Sequence, residues 1–472
     1  MASVRTPDRL LTMRARVARW LAPTSAGLLI ACGGGGESPA TVVATRIDEL
    51  GPIFRRASVA LSTPADIEIE YRASSGPRLL VRSPQPAALT HELALPRLRG
   101  RETYSYRVCA VDRTARSGPC VDGTFVTGDL PDDIRSIAFM PSGRSSYPLT
   151  FLSVRSAFNG GLVVDSEGHV VWYARTTHSP LGATRRANGN WVLLQNGIGL
   201  AEFSVLGEPV ATLSQTRVPA EAIHHDLTAT PWDTILFLAF EPRELAGQVL
   251  QGEALWEWDP GTNALRKRWS AFDFLDPAVD VGARSVPDDW LHANSVAFGP
   301  RGNVIVSLHF LDQVISLAPD FGSIEWRLGG PRSTLSVSAA QSTSGQHSAR
   351  EVSPNRILML DNGFARGDGS QWSRAIELAI DPATGVVGTA WEYRPDPDIW
   401  ARIISSARRL PNGNSVVTFG TPAGLLGASG PIAVHEVSPA GRLVWSMTMT
   451  LPDGGVFQGD PIDSIGGETT LP

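Results

Sequence analysis

The chain has 472 residues, 42% of them hydrophobic and 19% charged, with a formal net charge of −6. These values fall in the globular range, exclude a disordered or fibrous chain and make two domains the default expectation. The 41 basic residues do not outnumber the 47 acidic ones, so no cationic excess is available for nucleic acid, and small molecules or proteins are the expected partners. The 46 glycines and 35 prolines suit a turn-rich, all-β architecture. Lys267 is the single lysine, which excludes a Walker-type phosphate lysine.

At the N-terminus, Arg5, Arg9, Arg14, Arg16 and Arg19 precede an apolar run from Trp20 to Ala31. This is the pattern of an export signal and is too short to span a bilayer comfortably. The run ends Leu28-Leu29-Ile30-Ala31-Cys32 before Gly33 to Gly36, which resembles a bacterial lipobox with Cys32 as the lipidated first mature residue. Residues 1–32 are therefore read as a lipoprotein signal peptide and 33–39 as a flexible tether. The alternatives are an ordinary signal peptide or a buried helix ending in Cys. The lipoprotein reading predicts an exported protein facing the periplasm or the cell surface, touching the membrane through its lipid alone.

Residues 40–127 give short alternating segments between Pro and Gly clusters, such as Ile67-Glu68-Ile69-Glu70-Tyr71. The spacing predicts a small β-sandwich of fibronectin type III or immunoglobulin-like character. Cys109 and Cys120 lie on two strand-like flanks of one turn. A disulfide between them would stabilise the hairpin by roughly 3 kcal/mol in an oxidising compartment. Zinc is not expected there, because no second Cys or His pair sits at ligand spacing. The acidic stretch 128–133 reads as a domain junction.

From about residue 136 the sequence repeats. A turn with Gly and Asn leads into an apolar strand at Asn188-Gly189-Asn190, Arg301-Gly302-Asn303 and Asn412-Gly413-Asn414. A second phrase closes on an aromatic at Trp172, Trp326, Trp391 and Trp445. Together they mark six units starting near 148, 184, 224, 292, 347 and 405, a period of about 50 residues that suits β-propeller blades. A six-bladed propeller over 136–450 is predicted, with 451–472 as a C-terminal tail; a seventh blade would have to lie within Gly252 to Asp289.

Five of the nine histidines fall in this frame. His224 and His225 open the third unit, His292 the fourth and His347 the fifth, while His309 lies on the strand after His292. If the first strand of each blade lines the channel, at least three imidazoles meet on one axis. A single histidine at a blade start could be structural; three at one repeat position point to a site. Clustered imidazoles could also bind a metal, but no HExxH-like pair or carboxylate-rich motif accompanies them, and no GxSxG nucleophile elbow is present.

Ile223 to Asp226, Asp289-Trp290 with His292 and Asn294, Gln346-His347, Leu360 to Gly363 and Trp391-Glu392-Tyr393 together resemble the motif order of bacterial arylsulfate sulfotransferases, the exported, PAPS-independent type. The resemblance implies transfer of a sulfuryl group from an aryl sulfate to a phenol through a sulfohistidine, without a cofactor. It places the nucleophile at His347. It also implies that His292, Asn294 and one of His224 and His225 hold sulfate oxygens or protonate the leaving phenolate. Where the family carries an arginine, this chain has Ser307-Leu308-His309, and near the C-terminus Val456-Phe457-Gln458 stands where the family tends to Tyr-Arg. His309 is therefore expected in the arginine's space, cationic only on the acid side. The competing expectations are a propeller without catalysis that binds a sulfated or phenolic ligand or a partner protein, and a metal-dependent hydrolase using the same histidines.

Overall fold

A computed structural model describes residues 39–84, 86–112 and 115–471. Cys32, the expected export signal and nearly all of the expected tether lie outside the described residues. The architecture is all-β. Six sheets of four or five antiparallel strands follow one another along the chain. Their innermost strands are Gly455–Ile462 in blade 1, Pro180–Arg185 in blade 2, Ile223–Ala229 in blade 3, Ala293–Phe298 in blade 4, His347–Ser353 in blade 5 and Ser406–Arg409 in blade 6. Neighbouring innermost strands pack in that order, and blade 6 returns onto blade 1. The result is a closed six-bladed propeller.

Two sequence boundaries shift. The tail expected at 451–472 is largely structural: Gly455–Ile462 pairs with Leu149–Arg155 and supplies the channel-lining strand of blade 1. The unit starting near 148 is therefore the second strand of its blade. Closing the ring with a strand from the far end of the chain removes two open sheet edges, a long-range pairing that local periodicity does not encode. At the other end, Ala138–Gly143 adds a fifth strand to blade 6. Gly252 to Asp289 holds no seventh blade; it completes blade 3 through Leu265–Ser270 and then runs as a loop.

The repeated turn phrase has a concrete role. Gly189, Gly302 and Gly413 take φ of +88°, +80° and +87°, values that favour glycine, in the hairpins joining first and second strands of blades 2, 4 and 6. The Asn that follows reaches a carboxylate: Asn190 Nδ2 to Glu202 and Asn414 Nδ2 to Glu436, both 2.6 Å, and Asn303 Nδ2 to Glu351 of the next blade, 2.7 Å. Between turns, β-branched runs such as Val304–Leu308 are buried on both faces, as a strand packed between adjacent blades requires.

Residues 42–126 form two sheets that share the long strand Phe54–Ala73. Their hairpin carries the Cys109–Cys120 disulfide. The chain's last strand, Thr469–Leu471, pairs with Arg78–Arg82. Arg99 forms an ion pair with Asp165 of blade 1 at 2.6 Å, and Phe54 packs on Tyr173. One continuous apolar core therefore joins these sheets to blades 1 and 2.

Candidate active site

Register slips occur near the start of five innermost strands, those of blades 1 and 2 included, and the three that carry histidines are adjacent. Register slips between His224 and Leu227, between Ala293 and Ser295, and between His347 and Arg350. A left-handed residue accompanies each slip: His225 at φ +56°, His292 at +50° and Ser348 at +58°. Each costs of order 1 kcal/mol for a residue with a Cβ. A bulge re-aims the side chains beside it. Left-handed residues at the starts of three adjacent innermost strands, two of them histidines, mark this end of the channel as a candidate site.

The bulges bring the imidazoles into one arc. Ring centroids are 5.0 Å apart for His224 and His225, 4.5 Å for His225 and His292, 5.2 Å for His292 and His309, and 5.2 Å for His309 and His347. All five histidines that the sequence singled out are brought together. Phe310 stacks on His292, and Phe364 packs against His309. Gly345, at φ +63°, passes so close to His309 that a Cβ would lie 2.6 Å from the ring; only glycine fits.

His347 is buried, and its tautomer is fixed. Asn362 Nδ2 donates to the carbonyls of Ala401 at 2.6 Å and Ile404 at 2.9 Å. The amide oxygen is thereby turned to His347 Nδ1, 2.8 Å away. An amide oxygen only accepts, so Nδ1 carries the proton and Nε2 keeps its lone pair. Burial holds the pKa down at about 4, opposed by the Asn362 hydrogen bond and reinforced by His292. The ring is therefore neutral at ordinary pH, with the Nε2 lone pair available.

The other histidines differ in kind. His292 pairs through Nδ1 with Asp289 Oδ2, and Trp290, between them in sequence, anchors the loop by donating to the Asp280 carbonyl at 2.7 Å. His224 points away from the mouth: its ring stacks on Phe240, and its Nε2 lies 2.9 Å from Glu253 Oε2. His225 is the member of the pair that faces His292. Asn294 donates to the Gln346 carbonyl at 2.8 Å and leaves its buried Oδ1 unpartnered.

His309 does not meet the expectation of a cation on the acid side. Burial, followed by the neighbouring His347, His292 and Arg284, pushes its pKa well below the usual histidine value, so it is neutral. The guanidinium at this place is that of Arg284, which bonds the His309 carbonyl and Asp312. Gln458, in the register where the family tends to Tyr-Arg, ties blade 1 to blade 2 by bonding both Ala183 N and Ala183 O. Sequence reading missed Glu253, Arg284 and the role of Asn362. Only Asn362 left a signal, since it lies in the quoted Asp361-Asn362-Gly363 motif.

The opposite side of the same mouth mixes aliphatic and polar groups. In a cavity of about 600 Å³, Ile403, Ile404, Pro422, Leu425 and Leu451 from blade 6 and its loops are set among Arg155, Ser156 and Asn159 of blade 1, with Ser179 and Asp453. The carbonyl of Ile404 is one of the two that orient Asn362, so this wall and the His347 tautomer share a backbone segment. Ile404 and Ser405 both have positive φ, +51° and +84°.

Among curated proteins none matches this chain. A protein of unknown function from Bacteroides caccae is 12% identical, with a TM-score of 0.48, over 67% of this chain and 99% of its own. An inactive virginiamycin B lyase from Staphylococcus aureus is 9% identical, with a TM-score of 0.37, over the same shares. A Xanthomonas campestris gluconolactonase is 13% identical, with a TM-score of 0.35, over 63% of this chain and 81% of its own. Likeness at this level carries no functional argument. The family model for arylsulfotransferase (ASST) matches residues 142–448, a span that contains all five histidines. The chain belongs to the arylsulfotransferase (ASST) family.

Proposed function

We propose that the protein is an exported aryl-sulfate sulfotransferase that works by a two-step exchange through a sulfohistidine at His347. The observation that carries this reading is the buried, neutral His347 with Nδ1 committed to Asn362 and Nε2 free. In the first step Nε2 attacks sulfur, an N–S bond forms and the S–O bond to the aryl group breaks. In the second, a phenol oxygen displaces His347. Both pass through a loose transition state with charge on the peripheral oxygens. The imidazole of His292 and the amide of Asn294 are the donors proposed to meet that charge, with Arg284 as the nearby cation. The aliphatic side chains of the neighbouring cavity take the aryl ring. A fibronectin type III-like N-terminal unit then acts as spacer, and lipidated Cys32 as anchor.

The test is p-nitrophenyl sulfate with and without a phenol acceptor, combined with intact-protein mass spectrometry. Acceptor-dependent colour and a sulfuryl adduct that His347→Ala lacks support the reading. Colour that is independent of acceptor and sensitive to chelator would point to a metal-dependent hydrolase instead. One observation favours a second reading, a binding protein without turnover: His309 stands neutral where a fixed arginine is expected. That reading predicts neither adduct nor colour, with retained affinity for the aryl sulfate. For the anchor, Cys32→Ser is expected to abolish lipid labelling and to leave the protein uncleaved or soluble. Identical labelling and fractionation would overturn it.

A further inference from the structure

Glu253 lies in the third strand of blade 3, one layer behind the channel, and is 1% exposed. Its Oε1 accepts from the Ala293 amide at 2.8 Å, and its Oε2 meets His224 Nε2 at 2.9 Å. The opposite nitrogen of that ring, Nδ1, lies 2.7 Å from His225 Nδ1. Two ring nitrogens at this distance share one proton, so the tautomers of the two histidines are locked to each other and to the carboxyl. Two arrangements satisfy every bond. In the first, Glu253 Oε2–H donates to His224 Nε2, His224 Nδ1–H donates to His225 Nδ1, and His225 presents Nε2–H. In the second, all three protons have moved one place, Glu253 is a carboxylate and His225 presents a bare Nε2.

We propose that Glu253, His224 and His225 form a proton relay in which Glu253 stores the proton that His225 gives to the leaving aryloxide and takes back from the acceptor phenol. This rests on the sulfohistidine reading above. In the first half-reaction the S–O bond breaks as His347 Nε2 bonds sulfur, and the aryloxide oxygen takes the His225 Nε2 proton. His225 Nδ1 is refilled from His224 Nδ1, and His224 Nε2 from Glu253, which is left ionised. In the second half-reaction the acceptor hydroxyl gives its proton to His225 Nε2, the protons return in reverse order and Glu253 is neutral again as the N–S bond breaks. No external acid or base is consumed. Glu253 and His224 touch no substrate; they are positioning residues acting through His225. The resting state is the loaded one: burial drives the Glu253 pKa well above its ordinary value and holds His224 down at about 3, with His225 well below the usual value.

Glu253→Gln separates relay from scaffold. The amide keeps both bonds of the loaded state, its oxygen accepting from Ala293 N and its NH₂ donating to His224, but it releases no proton. The expected result is unchanged thermal stability and an adduct-forming rate that falls about 10²-fold or more for sulfates of weakly acidic phenols. The fall is expected to be smaller for acidic phenols, so the dependence of rate on leaving-group pKa steepens. An equal loss across the series, or none, would overturn the relay. A second measurement needs no turnover: the infrared spectrum of the resting protein should contain the carbonyl stretch of an un-ionised carboxylic acid that Glu253→Gln removes. Absence of that band overturns the relay even if transfer occurs. If the band is present and no donor gives an adduct, the failure belongs to the sulfohistidine reading.

Discussion

The mouth of the propeller has two unlike halves. Blades 3 to 5 contribute five imidazoles and several carboxylates set behind them. Blade 6, with blade 1 beside it, contributes Ile403, Ile404, Pro422, Leu425 and Leu451 around a cavity of about 600 Å³. An aryl sulfate is divided the same way, with a charged, reactive end and an apolar ring. The contrast teaches where each kind of specificity resides. On the proposed reading, sulfuryl chemistry needs atoms fixed to within a few tenths of an ångström, which suits strand ends backed by buried hydrogen bonds. Recognition of a ring needs only shape and apolar area, so it is left to loops.

The largest effect is expected on the histidine half. His347→Ala removes the only group argued to bond sulfur, and transfer should fall at least about 10³-fold, with no sulfuryl adduct by mass spectrometry. The fold should be retained with a loss of about 1 to 3 kcal/mol, because the buried ring leaves Asn362 Oδ1 without its partner. Retained turnover would place the nucleophile elsewhere in the arc. The next largest effect is at Asn362. Asn362→Leu frees His347 to carry its proton on Nε2, the wrong nitrogen for attack, and a loss of about 10² to 10⁴-fold is expected, as for other mispositioned imidazoles. An intact rate with correct folding would show that the tautomer is set by another group.

How far the sequence could be read differs between the two halves. The histidines were legible because a repeat of about 50 residues brings equivalent positions together, and His224, His225, His292 and His347 all fall at unit starts. Asn362 and Glu253 were not, because each acts from a second or third strand through an atom on a first one. Glu253 shares its strand with Glu257, and nothing local says which of the two backs His224. The apolar wall was invisible for a different reason: it is assembled from loops of blades 6 and 1, whose sequences carry no period. The ring closure by Gly455–Ile462 was missed on the same grounds, since its partner, Leu149–Arg155, lies some 300 residues earlier and no local pattern reports it.

A pH experiment sharpens the contrast at intermediate magnitude. His347 attacks only when neutral, and burial has moved its pKa from the usual 6.5 down to about 4. Protonation, and with it loss of rate, therefore sets in only as the pH falls toward 4; no decline is expected across 6.5. Asn362→Asp places a negative charge on Nδ1–H, favours the protonated ring and should move the acid limb upward. The measurement is the rate of adduct formation from pH 3.5 to 8 in wild type and variant. A wild-type midpoint near 6.5 would mean that the ring is hydrated and that the buried arrangement does not describe the working site.

The smallest effect belongs to the apolar half and has a distinct kinetic form. Leu425 lines the cavity yet is 39% exposed, so Leu425→Glu should cost little stability. It replaces part of the surface against which an aryl ring would lie. Losing several tens of Å² of apolar contact, at about 25 cal/mol per Å², corresponds to roughly 1 to 1.5 kcal/mol, or about a tenfold rise in KM. The ring is bound equally in ground and transition states, so kcat should hold. The loss should scale with the ring's apolar area and reverse in part for donors bearing a cationic substituent, which the new carboxylate would attract. A fall in kcat at constant KM would be the opposite signature. It would mean that the loop acts on the His347 side through the shared Ile404 segment, and that the two halves of the mouth are one mechanical unit rather than two separable sites.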